Sequence, residues 1–415
     1  MTTRPTLLLA RGVVPRASSF PPDAPVGDVP AGLLVRGGRV LEVARGRGAL
    51  DRLVRRHDPR RRDLGDVVLL PGLVNAHAHL ELGPLAGHLP GDAGFPAWVG
   101  ALLRARADLT PGDHERGAAS GLARALATGT TTLGDIDSTG AVLAAVGRAP
   151  RRPRLRVYRE VLDAWDPART AAALARLEPA LREGARLVEG YAPHAPFTTS
   201  RALLAGVAAR RRRRPRPLAV HWAESPDELA WLEDGGGGFA GALGASPGVH
   251  GLDLLEEAGL LGPATALVHG NLPRPGERAR IAAAGASLVH CPGTHAFFDR
   301  PSFDPGPWRR AGVPLALGTD SLASNADLDL RREARLLLAA RPELGAGEVL
   351  ALATEGGARA LDLAAEVGAL EPGFRADALA LPVGRGATLE DLAGALFAGT
   401  APPCVVLAGR RVPPP

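Results

Sequence analysis

From about residue 67 to residue 321 the chain alternates short apolar runs with longer stretches rich in Ala, Leu and Arg. Eight apolar runs, each bounded by turn residues, are predicted as buried strands. They are Val67 to Val74, Thr130 to Ile136, Arg154 to Val161, Ala185 to Tyr191, Leu218 to His221, Thr265 to His269, Ala286 to His290 and Pro314 to Gly318. The stretches between them, such as Asp166 to Glu183, Ser200 to Arg214 and Leu328 to Ala340, are predicted as helices. Buried strands alternating with helices imply a parallel sheet covered by helices. Eight such units over roughly 250 residues suit a closed α/β fold, the (β/α)8 TIM-type barrel, better than an open sheet.

The flanks have a different pattern. Thr6 to Val14, Gly32 to Val35 and Arg39 to Val43 are short β-like runs with Gly and Pro turns, and Asp377 to Pro382 and Cys404 to Val412 repeat that character in the tail. The expected organisation is therefore a barrel over residues 67–368 and a small composite β domain from residues 1–66 and 369–415. Asp234 to Phe239, with four consecutive glycines, is expected to be either a mobile lid near the barrel mouth or a plain connector.

Polar residues recur in phase with the strands. Seven of the eight runs end at or just before His, Asp or Glu: His77 and His79, Asp135, Glu160, His194, His221, His269 and His290. The eighth leads into Asp320. Barrel active sites form at the C-terminal ends of strands, so these side chains are expected around one mouth. A single histidine is more often a satisfied core or loop residue, but so many in register favour a site.

Composition narrows the class. The 415 residues are 46% hydrophobic and 22% charged, as in ordinary folded proteins. The 52 glycines and 38 prolines are read as loop punctuation. All 49 basic residues are arginine, and the net charge is +5. The run Arg210 to Arg214, with Arg216, lacks the interleaved aromatics of a single-strand nucleic-acid platform, so no nucleic-acid partner is expected. Two cysteines, Cys291 and Cys404, cannot form a disulfide framework or a cysteine-based zinc site. The apolar stretch Leu7 to Ala10 is too short for a signal-peptide core, and no run reaches the length of a membrane span. The expectation is a cytoplasmic enzyme with a small-molecule substrate and no membrane partner; a homo-oligomer is left open.

The candidate chemistry begins at His77-Ala78-His79. On a strand, residues i and i+2 face one side, so both imidazoles can meet one ion. The pair gains weight from His221, His269 and Asp320 at later strand ends, and three imidazoles with a carboxylate suit a divalent zinc or iron ion with room for a water. Glu224, just beyond His221, is placed to move protons without ligating. Its alternative role is a first-turn acid before Ser225-Pro226.

The segments PGLVNAHAHLEL, YAPHAPFTTS, HWAES, LVHG, VHCPGTHAFF and LGTDSLASN, in this order, resemble the amidohydrolase superfamily. The similarity continues into EPGFRADALAL near the end of the chain. The branch is similar to cytosine, guanine and adenosylhomocysteine deaminases and triazine chlorohydrolases; HAHLEL, Phe95 to Trp98 and CPGTHAFF also resemble aminodeoxyfutalosine deaminases. The resemblance implies His77, His79, His221 and Asp320 as metal ligands, with Asp320 also counted among the catalytic groups. It implies Glu224 as proton shuttle, His269 beside nucleophile and substrate, and His194 in contact with the heterocycle. His290 and His295 fall in a segment that shapes the pocket; Asp135, Asp137 and Glu160 receive no role. The absence of lysine removes the carboxylated-lysine bridge of binuclear relatives and points to one metal. The implied activity is hydrolytic deamination of an amino-substituted heterocycle, such as an adenine-type nucleoside. A chlorohydrolase, an imidazolonepropionase-like cyclic-amide hydrolase and a non-catalytic scaffold are the alternatives.

Overall fold

The computed structural model describes residues 4–399 and 404–412. Its centre is a run of eight strands: β1 (Leu73–Ala78), β2 (Thr130–Asp137), β3 (Arg154–Val161), β4 (Leu187–Pro193), β5 (Leu218–Trp222), β6 (Thr265–His269), β7 (Ser287–His290) and β8 (Leu315–Leu317). Each pairs in parallel with the next in chain order. The ring closes just past β8, where the backbone N–H groups of Thr319 and Asp320 donate to His77 O at 2.9 and 3.1 Å. Gly318 permits this approach, since a Cβ there would lie 2.8 Å from His77 Cβ. The nearly closed parallel barrel with surrounding helices is the (β/α)8 fold read from the alternation of runs.

Inward-facing residues are small or branched, including Val74, Ala76, Ile136, Ala192, Ala219, Val268, Val289 and Ala316. They fill the barrel as a packed core rather than a pore. Below them, Arg156 donates to Leu361 O at 2.9 Å and Asp362 O at 3.0 Å, which ties the closing segment to β3. Helices such as Arg201–Arg213 and Leu330–Ala340 cover the outside, each started by a side-chain cap, Ser200 on Leu203 N and Asp329 on Arg331 N.

The apolar run from Val67 to Val74 divides at Gly72. Val68–Pro71 pairs antiparallel with Ala378–Leu381 outside the barrel, whereas Leu73–Ala78 enters it. A Cβ on Gly72 would lie 2.1 Å from Thr131 Oγ1, so only glycine fits at this crossing. Strands from both ends of the chain thus share one five-stranded sheet, with Gly12–Val13 on one edge and Arg410–Arg411 on the other. A second sheet of four strands holds Thr6–Ala10, Ala31–Arg36, Arg39–Arg45 and Arg60–Asp63.

Two surface expectations acquire detail. The arginine cluster is partly structural: Arg211 donates to the carbonyls of Arg216, Leu260 and Ala264, and Arg210 pairs with Glu178. The glycine run is pinned by Phe239, which is buried against Phe197 and Phe95 with ring centroids 4.9 and 6.1 Å away. Among the described residues no helix is long and apolar enough to cross a membrane.

Candidate active site

The site is built on the closing seam of the barrel. Asn75, fully buried, accepts from His77 N and Thr319 N, both at 3.2 Å, and donates to Thr319 Oγ1 at 2.8 Å. This amide locks the end of β1 to the end of β8. The β1–β2 register shifts between Asn75 and Ala78, and His77 and His79 both reach the barrel mouth.

His77, His79 and Asp320 present ligand-type atoms within 4.8 Å of one another, and so do His77, His221 and His269. His79 Nε2 and His221 Nε2 are 3.2 Å apart, and Asp320 Oδ1 is 3.7 Å from Nε2 of both His77 and His79. The chain therefore brings together His77 of β1, His79 just past it, His221 of β5 and Asp320 just past β8, with a fifth side chain, His269, from β6.

His221 Nδ1 lies 2.8 Å from His194 O. A carbonyl only accepts, so Nδ1 carries the proton and Nε2 presents its lone pair. Both ring nitrogens of His77 are buried without a hydrogen-bond partner in the described residues. Burial lowers the pKa of His79 to about 3 and that of His194 to about 4, so both rings are neutral at pH 7.

Neutral imidazoles with converging lone pairs, unpartnered nitrogens on His77 and a nearby carboxylate are the donor set of a divalent cation. Two nitrogens on one tetrahedral zinc are about 3.3 Å apart, close to the His79–His221 separation. The residues present fit such an ion.

Three residues at these strand ends hold positive φ without being glycine: Ala223 at 51°, His269 at 75° and Asp320 at 56°. Each costs on the order of 1–3 kcal/mol, and such strain collects where geometry serves a site. Asp320 Oδ2 receives Thr294 Oγ1 at 3.0 Å, which leaves Oδ1 towards the histidines.

Glu224 is buried beside this cluster, with Oε2 3.6 Å from His269 Nε2 and Oε1 3.0 Å from Arg300 Nη2. Burial raises its pKa to about 7 against the opposing pull of Arg300. It does not cap the following helix: Ser225 does, accepting from Glu228 N. Glu228 in turn accepts from Ala223 N at 3.0 Å and Glu224 N at 2.7 Å, fixing the backbone that carries Glu224.

His194 Nδ1 meets Thr198 Oγ1 at 2.7 Å, and that hydroxyl lies 3.1 Å from Ala195 O. With the hydroxyl proton directed to the carbonyl, His194 donates from Nδ1 and keeps an acceptor lone pair on Nε2.

The residues without a sequence-based role also find places. Asp135 Oδ1 accepts from Leu80 N at 2.8 Å, bracing the chain just after His79, and Asp137 Oδ1 accepts from Gly140 N at 2.7 Å. His290 stacks on Phe303 with centroids 4.0 Å apart, and His295 Nε2 contacts Pro301 O, so both shape the wall. Arg300, Thr294 and Glu228 were not singled out from sequence. The Ser225-x-x-Glu228 spacing is a helix-start signal that could have marked the last of them.

Comparison with known proteins identifies the family. A family profile described as the amidohydrolase family matches residues 68–412. A 5-methylthioadenosine/S-adenosylhomocysteine deaminase from Halobacterium salinarum is 31% identical over 329 residues, covering 76% of this chain and 73% of its own length. An aminodeoxyfutalosine deaminase from Deinococcus radiodurans is 31% identical over 359 residues, covering 80% and 81%. Among solved structures, an adenosine deaminase from Xanthomonas campestris with bound zinc superposes with a TM-score of 0.78 at 26% identity, covering 98% of this chain and 92% of that one. On the strength of the profile match and these relatives, the chain belongs to the amidohydrolase family of hydrolases.

Proposed function

We propose that the protein is a mononuclear metal-dependent aminohydrolase that releases ammonia from an adenine-type nucleoside. The observation that carries this reading is Glu224: a buried carboxylate relieved of capping duty, 3.6 Å from His269 and beside the His77, His79, His221 and Asp320 cluster. The similarity to deaminases of methylthioadenosine, adenosylhomocysteine and aminodeoxyfutalosine supports the substrate class.

His77, His79, His221 and Asp320 are the residues that would hold one divalent zinc or iron ion. Such an ion supplies Lewis-acid chemistry that makes a water nucleophilic near neutral pH. Glu224 would hold the proton given up by the attacking water and pass it to the amine nitrogen as the water's oxygen replaces that nitrogen on the amidine-like carbon. Asp320, with Oδ2 held by Thr294 and Oδ1 towards the histidines, is the second acid/base group of the site. His269 orients Glu224 and the water, and the Nε2 lone pair of His194 is left to accept from a donor on the substrate.

The test is an ammonia-release screen of zinc- and iron-loaded protein over purine nucleosides, pterins and cytosine-like bases. Ammonia from an adenine nucleoside is the expected result. Turnover confined to chloride release from triazines, or to a cyclic amide, would overturn the deaminase reading while leaving the metal site intact.

A further inference from the structure

Glu160 ends the inward face of β3, two residues after Tyr158 of the barrel core. It is 5% exposed, and its Oε1 has no hydrogen-bond partner among the described residues. The neighbouring acid Glu81 is the opposite case: Ser138, Thr139 and Arg106 all donate to it. Glu81 is therefore satisfied as part of the scaffold, whereas a buried carboxyl oxygen left alone is costly unless a ligand meets it.

Glu160, His194 and His221 offer ligand-type atoms within 4.8 Å of one another, so a second cation is one candidate partner. His221 excludes it. Its Nδ1–H is committed to His194 O, and its Nε2 faces His79 Nε2 at 3.2 Å. One carboxylate and one imidazole remain, too few protein ligands for a firmly held zinc. A hydrogen-bond donor on an organic ligand fits better, because Glu160 Oε1 and His194 Nε2 both keep acceptor lone pairs.

We propose that Glu160, together with His194, reads the sugar hydroxyls of a nucleoside substrate and so selects nucleosides over free bases. This rests on the deaminase reading. The reacting amine faces Glu224 and His269 at the ends of β5 and β6, so the β3 and β4 side meets the rest of the molecule. The ring nitrogens of adenine in a nucleoside only accept; apart from the amine, the donors are the sugar's hydroxyls. A carboxyl oxygen accepts from a hydroxyl whether or not its partner oxygen carries a proton.

The experiment uses the full chain loaded with zinc, as wild type, Glu160→Gln and Glu160→Ala. The probes are 5′-methylthioadenosine, its 2′-deoxy and 3′-deoxy analogues, and adenine; calorimetry with the unreactive product 5′-methylthioinosine reports binding apart from turnover. Glu160→Ala is expected to lower kcat/KM for the ribonucleoside roughly 10- to 100-fold, the loss of hydrogen bonds in a dry site. At least one deoxy analogue should be equally poor with wild type and lose nothing further in the variant. Adenine turnover and zinc content should stay put and the melting temperature should not fall, product binding should weaken with kcat/KM, and Glu160→Gln should fall between.

Loss of zinc in Glu160→Ala would make it a ligand and overturn the proposal. Equal losses on ribo- and deoxynucleosides, or no loss on any, would overturn it too. The deaminase reading fails separately, as absence of ammonia from every adenine-type probe with wild type. In that event weaker product binding by the variants still supports the Glu160 role, and unchanged or undetectable binding overturns it.

Discussion

Arg300 Nη2 donates to Glu224 Oε1 at 3.0 Å, while the same guanidinium lies 4.6 Å from the ring centre of Phe298 and 5.4 Å from that of Phe95. The two aromatic faces hold a cation where water is largely excluded, and the cation holds the carboxylate beside the histidine–aspartate cluster. Burial alone would push Glu224 towards its neutral form, and Asp320 adds to that push, so Arg300 is the group that keeps a base available.

Arg300→Met keeps the length and apolar stem but removes this charge. The Glu224 pKa, already about 7, should then rise, since burial and Asp320 both disfavour its charged form once Arg300 no longer opposes them. A higher pKa means fewer ionised molecules at a given pH, so the acid limb of kcat/KM should move upward by about one pH unit or more. Activity at pH 7 should fall roughly tenfold and recover at higher pH, with Arg300→Lys in between. A uniform loss with an unmoved limb would assign Arg300 to packing alone.

The roles within the cluster are separable. His221→Ala removes one of four candidate donors and should lose metal and turnover together. Glu224→Gln should keep the metal and lose turnover by a factor on the order of 10² or more, as for a deleted general acid/base. Elemental analysis is expected to give one firmly held ion per chain; two would reject the mononuclear site.

The barrel was legible because the strands read as short buried runs separated by Ala-, Leu- and Arg-rich stretches, although the stretch Asp166 to Glu183 is helical only over Pro167–Ala175. The boundaries of β3 and β6 agree residue for residue with the runs Arg154 to Val161 and Thr265 to His269. The split at Gly72 was not legible, because two consecutive buried strands make one unbroken apolar run; only the approach of Thr131 separates them. Residues with a fixed chemical signature, such as His77-Ala78-His79 and His221 to Glu224, stood out. Arg300 did not, since its effect depends on a fold back across 76 positions to Glu224, and a lone arginine among 49 carries no signal.

Glu228 supports the same carboxylate from behind. Glu228→Ala would leave the buried N–H groups of Ala223 and Glu224 without acceptors, at about 1–3 kcal/mol each. The melting temperature should drop, and turnover should fall because the strained backbone at Ala223 loses its brace, while the first-strand histidines still retain metal. Glu228→Gln, with one acceptor left, should show a smaller drop. An unchanged melting temperature for the alanine variant would show that water replaces the carboxylate.

His194 divides its duties between backbone and side chain, which makes one substitution informative. Its carbonyl accepts from His221 Nδ1 at 2.8 Å and from His221 N at 2.9 Å, and so sets the tautomer of a candidate ligand. His194→Ala preserves that carbonyl, so metal content should not change. What disappears is the Nε2 acceptor, oriented by the 2.7 Å contact of Nδ1 with Thr198. Burial lowers the His194 pKa to about 4, so the ring acts as a neutral acceptor at pH 7 and contributes no charge. Its loss should weaken substrate binding by about 1–3 kcal/mol, read as a raised KM, if a substrate donor is left unpaired in a dry pocket. A structural role would instead lower the melting temperature, because Thr198 and the Ala195 turn lose their partner, with KM unaffected. Metal loss would make the ring itself a ligand. Metal content, melting temperature and kinetics on this one variant therefore distinguish three roles that the fold alone allows for the end of β4.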